Sequence, residues 1–477
     1  MTIGLRIFSA ICGLALASGC VQGPDYSRPE VEVPGAYRFA QLSAESIDQP
    51  GWWNAYRDQH LDALVREALA SNRDLRIASA RVDEFAAILA GTRSQGLPQV
   101  GYALSGNRSR ASEQKIPAIV DPLSTTLSSV LSASWEIDLW GRIRRETEAA
   151  RANLLASEEA RRGVTLTLIA SVISSYVTLL DLDAQLRVAL ATVEGRKKSV
   201  SLFETRLAGG WVSEFEMSQV RAEYESAQQQ IPGIRQGIAT QEHALSVLVG
   251  RNPGAIARTA STELYSPAVP AGLPSNLLIR RPDILQAEQQ LIASNALIGV
   301  ACALYFPQIS LTGLLGLASP SLGKLFTGSA RTWSFTGDVV GPIYTGGGLK
   351  AAVDQASARR DQSLANYELV IQNAFRDVED ALADVRHSGE LREILLRRVA
   401  TLRRGVELAN ERYDNGYSDY LEVLDTERSL FSAELQLAAA RGDYQRALVN
   451  LYRALGGDWT NVEPAAAPQS QPGGGNP

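Results

Sequence analysis

The sequence predicts an α+β membrane protein built as an internal tandem repeat, and three observations support that class. One layout occurs twice: Asn72-Arg73-Asp74-Leu75 through Leu97-Pro98-Gln99-Val100, and Leu278-Ile279-Arg280-Arg281-Pro282-Asp283-Ile284 through Tyr305-Phe306-Pro307-Gln308-Ile309. Asp74 to Pro98 and Asp283 to Pro307 are both 24 residues. Downstream, Gly141-Arg142-Ile143-Arg144 answers Gly347-Gly348-Leu349-Lys350, and Val249-Gly250 answers Leu455-Gly456, at an offset of 206. A unit of roughly 200 residues is too long for a solenoid repeat. The second observation is two proline-free stretches, from Gly141 to about Leu207 and from Gly348 to about Asn415. Each predicts a helix of ~65 residues, about 100 Å at ~1.5 Å per residue, which must pack along its length rather than around a compact centre. The third is four shorter segments in which apolar and polar residues alternate with the period of a strand.

Composition narrows the class. The net charge of -6, from 46 Lys and Arg against 52 Asp and Glu, leaves no basic footprint for nucleic acid. Cysteine occurs only at Cys12, Cys20 and Cys302, which is too few for an intrachain disulfide framework in the mature chain. Arg6, an apolar core from Ile7 to Ala17, and the small residues Ala17-Ser18-Gly19 before Cys20 predict a lipoprotein signal peptide over 1–19. Cys20 would then open the mature chain and carry the acyl chains. Ala17 stands where bacterial lipoproteins commonly have leucine, and Val21, rather than an acidic residue, favours the outer membrane by resemblance to those proteins. Beyond the leader no segment offers ~20 unbroken apolar residues, the length of a spanning helix. The nearest, Leu291 to Phe306, is rich in Ala and Gly and is read as a helix packed closely against protein.

In chain order, the segment 20–58 carries Pro24, Pro29, Pro34 and Pro50 and is expected to run extended over a surface. The first repeat is placed at 59–265. It opens with a helix near Gln59 to Ala70 and a second over about Asp74 to Gly96. Beyond Pro98, Val100, Tyr102 and Leu104 alternate with Gly101, Ala103 and Ser105, and a polar loop covers about Arg108 to Pro122. Leu131, Ala133, Trp135, Ile137 and Leu139 return opposite Ser132, Ser134, Glu136 and Asp138. The second repeat, at 266–460, sends Ile309 and Leu311 outward and returns Trp333, Phe335, Val339 and Ile343 opposite Ser334, Thr336 and Asp338. One apolar and one polar face per strand fits a transmembrane β-barrel with lipid outside and water inside; a soluble sandwich would show the same alternation.

The long helices favour the barrel. Leu364, Tyr367, Ile371, Ala374, Val378, Ala381 and Val385 step by 3 and 4, and Ile169, Val172, Tyr176 and Leu179 coincide at offset 206 with Phe375, Val378, Leu382 and Val385. Each long helix closes in a glycine turn, Gly209-Gly210 in one half and Asn415-Gly416 in the other, with Ser213 or Ser418-Asp419 available to cap a shorter returning helix. The tail over 461–477 has the composition of a disordered segment. Chemistry for catalysis is not evident. His60, His243 and His387 are isolated, so neither metal, cofactor nor enzyme activity is expected. Gly346-Gly347-Gly348-Leu349-Lys350 lacks phosphate-loop spacing and is read as a strand-to-helix transition. Arg280-Arg281 is read as a turn anchored by Pro282 and capped by Asp283 rather than as an anion site.

The run that begins Leu278-Ile279-Arg280-Arg281-Pro282-Asp283 and continues through Tyr305-Phe306-Pro307-Gln308 to Gly316 resembles the hallmark segment of the outer-membrane factor family, the TolC-like channels. Gly23-Pro24-Asp25-Tyr26 with Arg28-Pro29, Trp135-Glu136-Ile137-Asp138-Leu139-Trp140-Gly141-Arg142, and Tyr452-Arg453-Ala454-Leu455-Gly456-Gly457 are similar to its lipoprotein branch. Cys302 and Ile279 depart from the family, where arginine and a charged residue are common. The resemblance implies a homotrimer in which each protomer gives four strands to one 12-stranded barrel, continued by a coiled-coil α-helical barrel across the periplasm. It further implies a lipid-anchored outer-membrane exit duct for drugs or other small molecules. A periplasmic adaptor, or membrane fusion protein, would open it, and an inner-membrane transporter, expected to be proton-driven, would supply it. A conduit for type I protein secretion would share the channel, and a coiled-coil structural lipoprotein would share the helices without needing the strand pairs.

Two sets of site residues follow. The turns at Arg206, Gly209, Gly210 and Ser213, and at Arg412, Gly416 and Ser418, recur at equivalent places in the repeat and are expected to meet the adaptor. Leu421, Asp425 and Arg428 fall at i, i+4 and i+7 and share a helix face, so with Tyr413 they are expected to close the resting channel, three copies of each facing one another. Phe215, Gln219 and Ala222 hold the matching positions in the first half, which confines the charge to the second. An ordinary surface Asp/Arg pair is the plainer alternative.

Overall fold

The fold lays down one order of elements twice. The computed structural model describes residues 21–39, 52–112, 114, 121–259, 264–265 and 274–457. The first pass runs α1 (Gln59–Ser71), α2 (Arg73–Ser94), β1 (Gln99–Arg110), β2 (Leu123–Ile137), α3 (Arg142–Ala208) and α4 (Glu214–Leu248). The second runs α5 (Pro274–Arg280), α6 (Pro282–Ala303), β3 (Gln308–Ser319), β4 (Arg331–Val340), α7 (Gly348–Asp414) and α8 (Tyr420–Ala454). Matching helices agree in length: 22 residues for α2 and α6, 67 for α3 and α7, 35 for α4 and α8. The offset is 209 from α2 to β3 and 206 from α3 onward, so three residues are lost in the stretch that holds β2 and β4.

Some local expectations change. β1 continues to Arg110, past the start of the expected polar loop. The N-terminal segment is not extended to its end, because Trp52–Tyr56 form a 3-10 turn whose Trp52, Trp53 and Tyr56 are buried. The short helix α5 stands where no element is expected, since seven residues carry too little period to read. The signal cysteine Cys20 and the tail over 461–477 lie outside the described residues.

Contacts divide the chain into two units, each drawing on both repeats. The first takes the described residues of Met1–Val31, Ala80–Glu158 and Gln286–Glu368. It contains a single antiparallel sheet in the order β1-β2-β3-β4. Register turns the sequence alternation into two continuous faces, because side chains on paired residues point the same way. Tyr102, Leu131, Leu315 and Trp333 form one row across all four strands, and Val100, Ala133, Gly313 and Phe335 the next. Gln99, Ser134, Thr312 and Thr336 cross the opposite face. The apolar face is uncovered, with Tyr102 80%, Trp333 70% and Phe335 83% exposed. Within the same unit Ala149 and Ala152 of α3 pack on Ala293 and Ala296 of α6, the close helix contact that the Ala- and Gly-rich run predicts.

The second unit takes the described residues of Glu32–Ser79, Glu159–Leu285 and Leu369–Pro477. Its core forms around Leu168 to Leu180 of α3, with Trp52 stacked on Tyr452 at 4.5 Å between ring centroids. Asp58 caps α1 through His60 N–H at 2.8 Å and accepts the Tyr176 hydroxyl at 2.9 Å. One 18-residue window of α3 has a mean hydropathy of 1.8, enough to cross a membrane by length and composition. This corrects the sequence reading, which overlooked it. Because 56% of the window is buried inside the protein, packing accounts for its character.

Here the repeat also builds the same knot twice. Asn72 donates from Nδ2 to the Leu248 carbonyl at 2.8 Å, and the equivalent Arg281 donates from Nη1 to the equivalent Ala454 carbonyl at 3.2 Å. Arg281 is far more than a turn residue. Its buried guanidinium pairs with Asp283 (Nε to Oδ1 2.9 Å) and Asp377 (Nη2 to Oδ2 3.1 Å) and reaches the Ala374 carbonyl.

Candidate functional site

At the ends of α3 and α7 the chain reverses through the same turn. Gly210 N–H donates to Leu207 O at 3.0 Å and Trp211 N–H to Arg206 O at 2.9 Å; Gly416 N–H and Tyr417 N–H repeat this onto Tyr413 O and Arg412 O. This pairing satisfies the last helical carbonyls and requires a left-handed residue, which Gly210 (φ +72°) and Gly416 (φ +76°) supply. The returning helices then start on side-chain caps. Ser213 and Glu216 form a reciprocal capping box on α4, and Glu216 is held below the ordinary glutamate value by hydrogen bonds from the Ser213 backbone and hydroxyl. In the second half Asp419 caps α8, and Ser418, the other candidate, does not.

The two turns come together. Arg206 donates to the Tyr413 hydroxyl at 2.6 Å and lies over the Tyr413 ring, and Tyr413 in turn sits 5.0 Å from the Tyr420 ring. Beneath them Phe203, Met217, Val220, Ala409, Tyr420, Val423 and Leu424 form a buried plug joining all four helices. Arg412 pairs with Glu422 at 3.2 Å. Trp211, Phe215, Tyr417 and Leu421 are left exposed around this end.

Leu421, Asp425 and Arg428 do share one exposed face of α8. Arg428 pairs with Asp425 on its own helix and lies 4.0 Å from Glu223 Oε1 on α4. Tyr413 is not on that face but belongs to the plug behind it. Sequence reasoning missed the charges inside the bundle: buried Arg196 of α3, whose Nη2 stands 3.1 Å from Glu223 Oε2, and Glu427 of α8. A signal was available. Val193, Arg196, Val200 and Phe203 step by 3, 4 and 3, so Arg196 occupies an apolar seam position.

Cys20 itself is not described, but the residues after it are tightly held. Gln22 N–H donates to Trp140 O, while Arg145 Nε donates to Gln22 O at 3.0 Å and Nη2 pairs with Asp25 at 2.7 Å. Gly23 rests on Gly299, where a Cβ would meet the Gly299 Cα at 2.4 Å. Tyr26 and Arg28 both bind Glu288. The tryptophan-rich segment before α3 supplies the other half of this junction. Asp138 accepts the Arg144 N–H at 2.9 Å, Glu136 pairs with Arg142 at 2.9 Å, and Trp140 donates to the Pro307 carbonyl at 2.7 Å while stacking on Phe306.

Comparison with known proteins matches this chain twice to a family model described as outer membrane efflux protein, over residues 64–251 and 273–457. It is 36% identical over 453 residues to the cation efflux system protein CusC of Escherichia coli strain K12, covering 94% of this chain and 98% of that protein. To the solvent efflux pump outer membrane protein SrpC of Pseudomonas putida it is 35% identical over 456 residues, covering 94% and 97%. Its fold superposes on the open state of the Neisseria gonorrhoeae MtrE outer membrane channel with a TM-score of 0.83 and 30% identity, covering 92% of this chain and 98% of that one.

Proposed function

The chain belongs to the outer membrane efflux protein family, and on that premise we propose that three copies of it form the outer-membrane exit duct of a tripartite efflux pump. The observation that carries this reading is the sheet. Four paired strands present one continuous exposed apolar face and one polar face, the division between lipid and aqueous lumen that a membrane barrel requires. A four-stranded sheet cannot close on itself, so β1 and β4 are left as edges that three-fold assembly into 12 strands would pair. The named relatives export cations in one case and solvents in another, so the cargo is taken to be chosen by the inner-membrane transporter rather than by the duct. The exposed Trp211, Phe215 and Tyr417 beside the two glycine turns offer the periplasmic adaptor an apolar landing surface.

Acylation of Cys20 adds an anchor where the chain enters the protein. Because the sheet carries its own lipid-facing surface, Cys20→Ser is expected to lose the acyl chains, read by metabolic labelling with palmitate, and to keep most of the trimer in the outer-membrane fraction. Recovery of that variant wholly as soluble monomer would defeat the barrel.

The resting duct is closed by Leu421, Asp425 and Arg428, with Tyr413 supporting them from the plug. Exposed ion pairs of this kind contribute about 0.2–1 kcal/mol each, weak enough for adaptor binding to outweigh several. Asp425→Ala combined with Arg428→Ala is therefore expected to raise single-channel conductance in planar bilayers at unchanged trimer abundance. Conductance equal to that of the unmodified channel would remove these residues from the gate.

A further inference from the structure

We propose that the gate arginine Arg428 is shared between Asp425 and Glu223, one of a half-buried carboxylate pair with Glu427, so that releasing it for opening loads that pair with one proton. The inference rests on the gate reading above and adds to it a coupling between opening and pH.

The geometry is a polar layer in an otherwise apolar bundle. On α4 the seam runs Met217, Val220, Glu223, Ala227, and on α8 it runs Tyr420, Leu424, Glu427, Phe431. With Arg196 on α3, each of three helices therefore contributes one charged residue at a seam position. Phe203, Met217, Val220, Tyr420 and Leu424 cluster on one side of the layer, and Ala189, Ala227, Ile234 and Phe431 on the other. Polar groups at such positions cost stability and are kept where they specify an arrangement or a switch.

The charges inside the layer do not balance. Arg196 is 3.1 Å from Glu223 Oε2 and lies over the Phe431 ring at 5.4 Å, yet that oxygen is buried and accepts no hydrogen bond among the described residues. Two carboxylates thus face one enclosed guanidinium. Arg428, at the edge and 4.0 Å from Glu223 Oε1, is the second cation. The groups facing Glu427 are Arg196 from α3 and Glu223 from α4. Tyr420 stands two turns away on its own helix, and Tyr413 of α7 and Arg206 of α3 face that tyrosine. Burial pushes Glu427 up from the ordinary glutamate value and Glu223 adds to this, while Arg196 pulls it back. Arg196 carries a single positive charge, so the enclosed cation cannot neutralise both acids.

When Arg428 leaves its post between Asp425 and Glu223, one carboxylate in the layer loses its counter-charge. A proton on Glu427 restores neutrality. The open state therefore binds more protons than the closed one, and a state that binds more protons gains population as pH falls. Acidification opens the gate, in a window above the ordinary glutamate range.

The test is single-channel recording of reconstituted trimers at a series of pH values from neutral down towards the ordinary glutamate range. Four proteins are compared: the unmodified chain, Glu427→Gln, Glu223→Gln, and the Asp425→Ala/Arg428→Ala double variant. Open probability of the unmodified channel is expected to rise on acidification, by no more than about tenfold per pH unit for each protomer that takes up a proton. Glu427→Gln, whose amide stands for the protonated acid, is expected to hold the acid level at every pH. Glu223→Gln is expected to flatten the response, because Arg196 then balances Glu427 alone. The double variant is expected to be open throughout. A raised double variant together with a Glu427→Gln channel that keeps the unmodified pH response overturns this proposal and leaves the gate standing. A double variant identical to the unmodified channel overturns the gate itself. Should Glu427→Gln fail to assemble, a Glu223→Gln channel with the full pH response overturns the coupling equally.

Discussion

Arg281→Ala is expected to remove most of the trimer from the outer membrane and to lower the thermal midpoint of what remains. Breaking a fully buried ion pair costs about 3–5 kcal/mol; with Asp283 and Asp377 partly exposed and Asp377 still paired with Arg376, the ionic share of the loss falls below that. Here the loss is broader. The guanidinium serves Asp283 and Asp377 and donates to the Ala454 carbonyl at the end of α8 and to Ala374 in α7, so four groups lose a donor at once. The measurement is heat-induced dissociation of detergent-solubilised trimer, with Arg281→Lys as comparator because an ammonium keeps the charge but has neither the planar fork nor enough donors for all four acceptors. A midpoint unchanged in Arg281→Ala would refute the account. The effect has a defined pH sense. Burial pushes Asp377 up, but hydrogen bonds from Arg376 and Arg281 and their charge prevail and leave it below the ordinary value. A carboxylate depressed in the folded state contributes stability that is full above its unfolded value and lost as pH falls through its folded one. Unmodified and Arg281→Ala proteins should therefore converge in acid.

Gly250→Val should be the most damaging single change at a glycine. Gly250 has φ +84°, and a Cβ there would lie 2.3 Å from the Ser71 carbonyl oxygen and 2.6 Å from its carbon. The left-handed conformation alone costs a β-branched residue about 1–3 kcal/mol, and a backbone collision cannot be relieved by turning a side chain. Gly210→Ala separates the two costs, because Gly210 has φ +72° but nothing within 4 Å of the added carbon. It should lose only about 1 kcal/mol. Equal trimer yields from Gly250→Val and Gly210→Ala would show that the Ser71 contact is unimportant.

Elements with a strong period were legible in advance. Both long helices, both returning helices and all four strands fall where alternation and the repeat put them, because seam spacing and strand alternation are local properties. The sheet register was not local, and neither was its outcome, that Tyr102, Leu131, Leu315 and Trp333 line up across the strands. Arg281 read as a turn residue because its partner Asp377 lies 96 positions away. For the tips, the glycine turns and the Leu421, Asp425 and Arg428 face were readable from spacing. Arg196 was readable as a charge on an apolar seam, but its meeting with Glu223 and Glu427 was not, since such a charge looks like a break in the pattern until three breaks are seen to meet.

The equal lengths of the paired helices, 67 with 67 and 35 with 35, have a practical corollary for anyone adding an epitope or a fluorophore. One residue inserted into a helix rotates everything beyond it by about 100°, which would swing the whole downstream seam off its neighbour. The only discrepancy between the corresponding stretches from α2 and α6 onward, three residues, falls in the strand region. Length is thus a quantised variable along the helices and a free one at the hairpins. A label therefore belongs in a connection between two strands rather than inside a helix, since a strand connection sets no helical phase.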